Sequence, residues 1–366
     1  MTSTTLADRA AGAVLGALIG DALGVGPHWY YDLDELRREY GPWIDGYTAP
    51  RPGRYHDGLK PGDLSQAGII AELLLDAVLE SGGYDAAAFT AKLDGDLFPQ
   101  LDGIPTHGPG GYTSQSIRET WRKRVLDKRE WGDVAGLADT TEAAERIFVV
   151  ASLYATDPWR AATASRDNTL LTQNDTTVAA LTTAFGSVIA ALVRGEALDA
   201  DISSRLFALV HQGRLPFHHV TRPGSTPPLA GSVELAVGAN FPSPDALSGV
   251  STAVRSALDP AITIEPASKI AQVYGLPCAI YYQLPAAYYL AARFPNSFEN
   301  AVLHAINGGG QNQARAILTG ALAGAQLGID AIPRRFITGL SSGAELERKA
   351  RALGRLAENL AGAAAA

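Results

Sequence analysis

Two polar clusters that lie far apart in the chain carry side chains able to do chemistry. They comprise Asp63, Ser65 and Gln66 within GDLSQ, and Gln311, Asn312 and Arg315 within GGGQNQAR. Each cluster sits where a segment with helical periodicity begins, and a helix start exposes free N–H groups and a partial positive charge. Such starts suit the phosphate or carboxylate of a ligand. Ordinary helix starts with amide caps give the same pattern, so both readings stay open.

Proton transfer requires a general acid or base, and two residues are candidates. Asp63 is the first, because a carboxylate that faces an apolar crevice has its pKa raised toward neutrality. Its alternative role is to cap the following helix. His28 is the second, since imidazole titrates near pH ~6.5. A histidine beside Trp29 and Tyr30 is also typical of packed, hydrogen-bonded structure.

Aromatic side chains provide candidate stacking faces for a sugar or an aromatic ligand. The candidates are Trp29, Tyr30, Tyr112, Trp121, Tyr281 and Tyr282, because ligand pockets are mostly apolar with a few placed polar groups. The alternative is that most of these rings belong to the core.

Other kinds of site are disfavoured. His218 and His219 have no Asp or Glu at ligand spacing, which argues against a zinc site there. The single cysteine, Cys278, excludes an internal disulfide. The formal net charge is −8 and no Lys/Arg block stands out, so nucleic acid and anionic membranes are not expected partners. A small molecule is the expected partner, and the sequence specifies no oligomeric state.

The N-terminal segment predicts a cytoplasmic protein. MTSTTLADRA has no basic stretch leading into an apolar core and no cleavage signature, so it does not resemble a signal peptide. The apolar run over residues 10–19 is shorter than the ~20 residues of a membrane span, which predicts a buried helix.

Glycines spaced by four residues must shape the elements that hold these side chains. They fall at positions 12, 16, 20 and 24 and again at 320, 324 and 328. This spacing lines one helix face with almost no side chain, at a cost of ~1 kcal/mol per glycine relative to alanine. The pattern predicts that the two helices pack closely at the centre of one core. The alternative is a pair of permissive alanine-rich helices.

Helical periodicity dominates the remaining sequence and predicts an all-α fold. Predicted helices cover residues 66–80, 141–154, 176–193 and 300–306, and no segment shows sustained period-two alternation. Proline and glycine predict loops at 47–62, 103–111 and 215–231. We expect a single domain over residues 1–366, in which 340–366 form a terminal helix with a frayed end.

Several motifs resemble those of the ADP-ribosylglycohydrolase superfamily. They are the opening GALIGDALGVGPHWYYDLDEL, the two clusters described above, and LPAAYYLAARFPNSFENAVLHAINGGG between them. The match spans most of the chain. HWYYDL and the amide-rich second cluster are most similar to the crystallin J1-like subgroup.

The resemblance implies a site for two magnesium ions, held in such families by Thr-Asp-Asp-Thr and Asp-x-Asp-Thr elements. Here the first element reads Gly62 to Ser65 with one carboxylate, Asp63, and the second reads Gly310 to Gln313 with none. Uncharged amides are poor magnesium ligands. We therefore predict no metal ligands and no cofactor.

The resemblance also extends to three polar residues between the two elements. It implies that Asp102 and Asp175, in polar loop-like stretches, face the substrate. Gln173 stands where the family commonly has a histidine.

The predicted function is therefore that of an ADP-ribosylglycohydrolase-like hydrolase. It would act on a small N-glycoside or amide-like substrate without the two magnesium ions. The alternative is a non-catalytic ligand-binding or crystallin-like protein that retains the fold. A third reading is that the amides retain ADP-ribose binding without magnesium.

Overall fold

The computed structural model describes residues 4–217 and 245–365, and within these ranges the protein is built from sixteen α-helices. The helices are α1 (Leu6–Val25), α2 (Leu33–Tyr40), α3 (Gln66–Ser81), α4 (Ala86–Lys92), α5 (Gln115–Trp121), α6 (Phe148–Leu153), α7 (Pro158–Leu170), α8 (Thr176–Val193), α9 (Ile202–His211), α10 (Asp245–Leu258), α11 (Ile270–Tyr274), α12 (Ile280–Arg293), α13 (Phe298–Ile306), α14 (Asn312–Leu327), α15 (Arg334–Gly339) and α16 (Gly343–Ala365). No strand occurs in these two ranges, and the all-α prediction is confirmed. Beyond Phe217, the predicted loop at 215–231 lies outside the described residues, as do His218 and His219.

Helices α1 and α14 form the central antiparallel pair. A methyl group on Gly16 would lie 2.3 Å from the carbonyl oxygen of Gly320, and one on Gly12 would lie 2.3 Å from that of Gly324. The backbones therefore touch where the glycines face each other, as the four-residue spacing predicts. Residues 10–25 of α1 are buried on every side.

The terminal helix α16 packs against α1, α3 and α6. Its apolar residues Leu346, Ala350, Leu353 and Ala357 are buried. Lys349 forms ion pairs with two carboxylates of α3, at 2.7 and 2.8 Å. The helix continues to Ala365, and fraying of its end stays a prediction.

Three predicted helices agree with the structure and one is partly wrong. The segments at 66–80, 176–193 and 300–306 lie within α3, α8 and α13. Over 141–154, however, regular α-helix covers only Phe148–Leu153. The preceding residues form turns in which three- and four-residue backbone hydrogen bonds alternate, and the side-chain oxygen of Gln173 accepts the N–H of Ala143 at 2.8 Å.

Helix α8 is long and apolar enough to cross a membrane by length and composition. However, 78% of this stretch is buried inside the protein. Core helices of globular proteins have the same length and composition, and the burial of α8 is that of a core helix.

Candidate functional site

A small, partly enclosed cavity lies where the starts of α3 and α14 meet. It is lined by Gln66, Ala67, Ile70, Tyr112, Ser114, Thr140, Thr141, Glu142, Glu145, Cys278, Gln311 and Gln313. The space that the centres of water molecules can reach is about 30 Å³. Because one buried water needs ~10–15 Å³, the cavity has room for about two waters in this conformation.

Asp21 of α1 joins the two helix starts beneath the cavity. Its carboxylate accepts hydrogen bonds from the backbone N–H of Ser65 at 2.8 Å, the Ser65 hydroxyl at 2.5 Å and the Gln313 amide at 3.2 Å. Burial raises the pKa of Asp21 to about 6. The start of α3 carries a partial positive charge that favours a nearby negative group, and the Asp21 carboxylate supplies that group from within the protein.

Of the first predicted cluster, Gln66 lines the cavity and Ser65 bonds Asp21 beneath it, whereas Asp63 does neither. Ser65 caps α3, accepting the N–H of Ala67 at 3.1 Å, so the predicted capping role of Asp63 is wrong. The Asp63 carboxylate accepts the Lys60 N–H at 2.8 Å and the hydroxyl of Ser341. It lies outside the lining of this cavity, and its predicted role as general base stays a prediction.

Of the second cluster, only Gln311 lines the cavity among the predicted residues. Asn312 donates to the carbonyls of Pro27 and Ile306 at 2.9 and 3.0 Å. Arg315 is fully buried and donates to the carbonyl oxygens of residues 305 and 309 and to Gln283. Both side chains therefore hold the glycine loop in place and present no free donor to a substrate. Burial lowers the pKa of Arg315 to about 9.

His28 is paired with a second histidine, His56, that the sequence analysis missed. Nδ1 of His28 lies 2.8 Å from Nε2 of His56, and Nε2 of His28 lies 3.2 Å from Oε1 of Gln311. Burial lowers the pKa of His56 to about 4, and burial together with His56 lowers the pKa of His28. The pair is therefore uncharged near neutral pH, and neither ring lines the cavity.

Two of the predicted aromatic residues, Trp29 and Tyr112, form a ring wall together with Tyr55, and a third, Tyr30, belongs to the core. Trp29, Tyr55 and Tyr112 pack together with centroid distances of 4.7 to 5.4 Å, and Tyr112 lines the cavity. Tyr30 is 1% exposed and packs against Tyr40, so it belongs to the core. The ring wall sits beside the predicted acid/base group, since Tyr112 also contacts His28 edge-on at 5.4 Å.

The acidic residues implied by the family resemblance lie elsewhere. Asp102 is exposed, and hydrogen bonds from His107 at 2.8 Å and from Ile104 lower its pKa. Asp175 caps α8 by accepting the Val178 N–H at 2.9 Å. Neither residue lines the cavity.

Gln173 has a local structural role. Its amide nitrogen donates to the carbonyl oxygens of Ala138 and Thr140, each at 3.0 Å. It thereby fixes the loop that carries Thr140 and Thr141 into the cavity.

Two glutamates in this loop line the cavity, and the sequence analysis missed both. Glu142 is neutralised by the buried Arg146 and accepts hydroxyl bonds from Ser116 at 3.0 Å and Thr172 at 2.8 Å. Glu145 accepts a bond from Thr141 and has no ion-pair partner among the described residues. Burial, followed by the nearby Glu142 carboxylate, raises the pKa of Glu145 to about 7.

The residues present do not fit a two-magnesium site. Within the described ranges, no group of three or more His, Cys, Asp or Glu side chains is arranged to hold a metal ion. At the two helix starts, the Ser65 hydroxyl and the Gln313 amide are bonded to Asp21, and Asp63 is bonded to Ser341. Magnesium requires several hard, charged oxygen ligands, which these groups do not supply.

Comparison with known proteins places this arrangement in a family context. The model of a family described as ADP-ribosylglycohydrolase matches residues 2–365. A solved structure described as an ADP-ribosylglycohydrolase-related protein complex is 20% identical, covers 96% of this chain and 99% of its own, and superposes with a TM-score of 0.61. No curated protein sequence matched the chain. The structural likeness shows a shared fold.

Proposed function

This chain belongs to the ADP-ribosylglycohydrolase family, and on that basis we propose that it hydrolyses a small N-glycoside or amide-like substrate with Glu145 as the proton-transferring group. One observation carries the proposal. Glu145 is a half-buried carboxylate that lines the cavity, and its pKa of about 7 matches the operating range of a general base. The similarity of HWYYDL and the amide-rich second cluster supports placing the chain in the crystallin J1-like subgroup.

In the proposed reaction, ionised Glu145 takes a proton from a water molecule in the cavity. The water oxygen attacks the carbon bonded to the leaving nitrogen, so that a C–O bond forms as the C–N bond breaks. Protonated Glu145 then returns the proton to the leaving nitrogen, which balances the reaction. Tyr112, Ser114 and Gln311 line the same cavity and are available to orient the substrate.

The proposal assigns no step to magnesium, because the side chains at the two helix starts do not fit it. A general base of the protein would instead activate the water. The predicted role of Asp63 receives no support from its position on the loop, where Ser341 and Lys60 occupy its carboxylate. His28 remains a positioning candidate, since it contacts Gln311 and Tyr112 rather than the cavity itself.

A non-catalytic binding or crystallin-like role is the second candidate, and the cavity size favours it. Space for about two waters does not admit ADP-ribose unless the ring wall moves. A protein that retained the fold while side chains filled the crevice would have this geometry.

The first test measures ADP-ribose release from ADP-ribosyl-arginine and sugar release from smaller N-glycosides, with added magnesium and with EDTA. Wild type is compared with Glu145→Gln and Asp63→Asn. EDTA-resistant release that is lost in Glu145→Gln supports the proposal. Release abolished by EDTA would overturn metal independence, and full activity in Glu145→Gln would overturn the role of Glu145. Absence of turnover on every substrate would favour the binding role.

A further inference from the structure

Gln66 carries a buried donor that lacks a partner. Its side chain lines the cavity and the residue is only 2% exposed. Nevertheless, no described group accepts a hydrogen bond from its Nε2. The other two cavity glutamines are engaged: Gln311 contacts His28 and Gln313 donates to Asp21. Because an unsatisfied buried donor is costly, this amide is arranged to meet an acceptor atom brought by a ligand.

The charges around the cavity oppose an anionic ligand. Glu142 and Glu145 both line it, whereas the described lining contains no Lys or Arg. The nearby Arg146 is bonded to Glu142 and Asn168. The partial positive charge at the start of α3 is met by Asp21. Because Arg146 neutralises Glu142, a ligand carboxylate or phosphate would be desolvated beside the Glu145 carboxyl group without an unpaired counter-charge.

We propose that the cavity selects a small uncharged molecule of the amide or urea class, whose carbonyl oxygen accepts from Nε2 of Gln66 and whose N–H groups face Glu145. This inference takes its site from the proposed function and names the substrate class for it. It departs from the expectation that the helix starts bind a phosphate or carboxylate.

Cys278 makes the selection measurable, because it is the only cysteine in the chain and it lines the same cavity. Iodoacetamide and iodoacetate have nearly the same size and differ in an amide against a carboxylate. With either reagent the Cys278 thiolate attacks the CH₂ carbon, a C–S bond forms, the C–I bond breaks, iodide leaves, and the thiol proton passes to solvent. Mass spectrometry of the single labelled site gives both rates.

The quantity to measure is the iodoacetamide-to-iodoacetate rate ratio in the folded protein divided by the same ratio in the denatured chain. This quotient cancels the intrinsic reactivities of the reagents. We expect a value well above one in wild type. Gln66→Met should lower the iodoacetamide labelling rate of the folded protein roughly tenfold, the effect of one hydrogen bond. The exposed Gln212 provides the matched control, since Gln212→Met makes the same change away from the cavity and should leave that rate unchanged.

Three outcomes would overturn the inference. A quotient at or below one means that the cavity does not prefer the amide. An iodoacetamide rate that is unchanged by Gln66→Met, in a variant with native circular dichroism, removes Gln66 from recognition. Failure of both reagents to label the folded protein means that the cavity admits no molecule of this class. Since labelling needs no turnover, amide selectivity without hydrolysis would defeat the proposed function and leave this inference standing.

Discussion

At the scale of single residues, burial decides which carboxylates can exchange protons near neutral pH. It raises the pKa of Glu145 to about 7 and that of Asp21 to about 6, whereas hydrogen bonds lower the pKa of the exposed Asp102. Asp21 is enclosed by Ser65 and Gln313, so among the carboxylates of residues 4–217 and 245–365 only Glu145 combines a raised pKa with access to the cavity.

The activity should rise with pH through about 7, because a general base works in its ionised form and Glu145 gains that form as pH passes its pKa. We expect kcat/KM to reach a plateau above that range. Glu145→Gln should lower kcat/KM by ~10²–10⁴-fold. Asp63→Asn is the matched carboxylate change and should leave the profile unchanged. A profile that falls with pH through this range would assign Glu145 as a general acid.

The same group should make folding stability depend on pH. The folded state holds the Glu145 proton more tightly than the unfolded state, where the pKa is near 4.5. Stability is therefore lost as pH rises from about 4.5 to about 7. Glu145→Gln removes this loss and should stabilise the protein by about 2–3 kcal/mol at pH 8, with little effect near pH 4. Urea unfolding at the two pH values measures the difference, and equal effects at both would contradict it.

The sequence identified part of this site. Ser65, Gln66 and Gln311 were predicted because they lie in polar or glycine-rich segments at the starts of helices, and Tyr112 because an aromatic ring can stack on a ligand. Glu145 was not predicted, because TTEAAER has the pattern of a helix and only the folded chain brings this glutamate to the cavity.

His56 and Asp63 show the same limit. His56 depends on a left-handed backbone conformation (φ 69°) and on pairing with a distant histidine. Asp63 stands at the position that the resemblance implies, but its side chain turns toward Ser341, a contact 278 residues away.

At the scale of elements, the α1–α14 contact is the feature that the sequence predicted best. A four-residue glycine spacing has one simple physical use in a soluble helix, which is close backbone approach. The segment 141–147 was predicted as helix from its apolar periodicity. It instead forms turns, and its Ala143 N–H donates to Gln173, a tertiary contact that local pattern cannot reveal.

Alanine substitutions should distinguish glycines that are needed for the close contact between helices from glycines that have open space around them. A methyl group on Gly324 would lie 1.9 Å from the Gly12 carbonyl oxygen, so Gly324→Ala should destabilise by about 3 kcal/mol or more. Gly249 is exposed within α10 and a methyl group there meets nothing within 4 Å. Gly249→Ala should stabilise by about 0.5–1 kcal/mol through helix propensity. Thermal unfolding measures both, and equal effects would contradict the close contact.

At the scale of the whole molecule, α16 fastens the end of the chain to its beginning. Gly354 lies so close to α1 that a methyl group there would be 2.3 Å from the Ala7 carbonyl oxygen. Lys349 links the same helix to Glu72 and Asp76 of α3. The terminal helix is therefore part of the core rather than an appendage.

Removal of residues 343–366 should unfold the protein. The deletion exposes the surface covered by Leu346 and Leu353, each worth about 1.5–3 kcal/mol of burial, as well as that under Ala350 and Ala357. The sum approaches the total stability of a typical domain of ~5–15 kcal/mol. Removal of residues 362–366 alone is the control and should leave the melting temperature within a few degrees. A folded 1–342 chain, judged by circular dichroism, would refute the prediction.

The antiparallel contact of α1 with α14 can form only late in synthesis, because the two helices lie far apart in the chain. The first helix leaves the ribosome with its glycine face bare, and its partner is made about 290 residues later. At ~5–20 residues per second, that interval is roughly 15–60 s. During this time the nascent chain displays an apolar helix that no other segment can cover in the same way, which makes it a client for chaperones that hold apolar segments until translation ends.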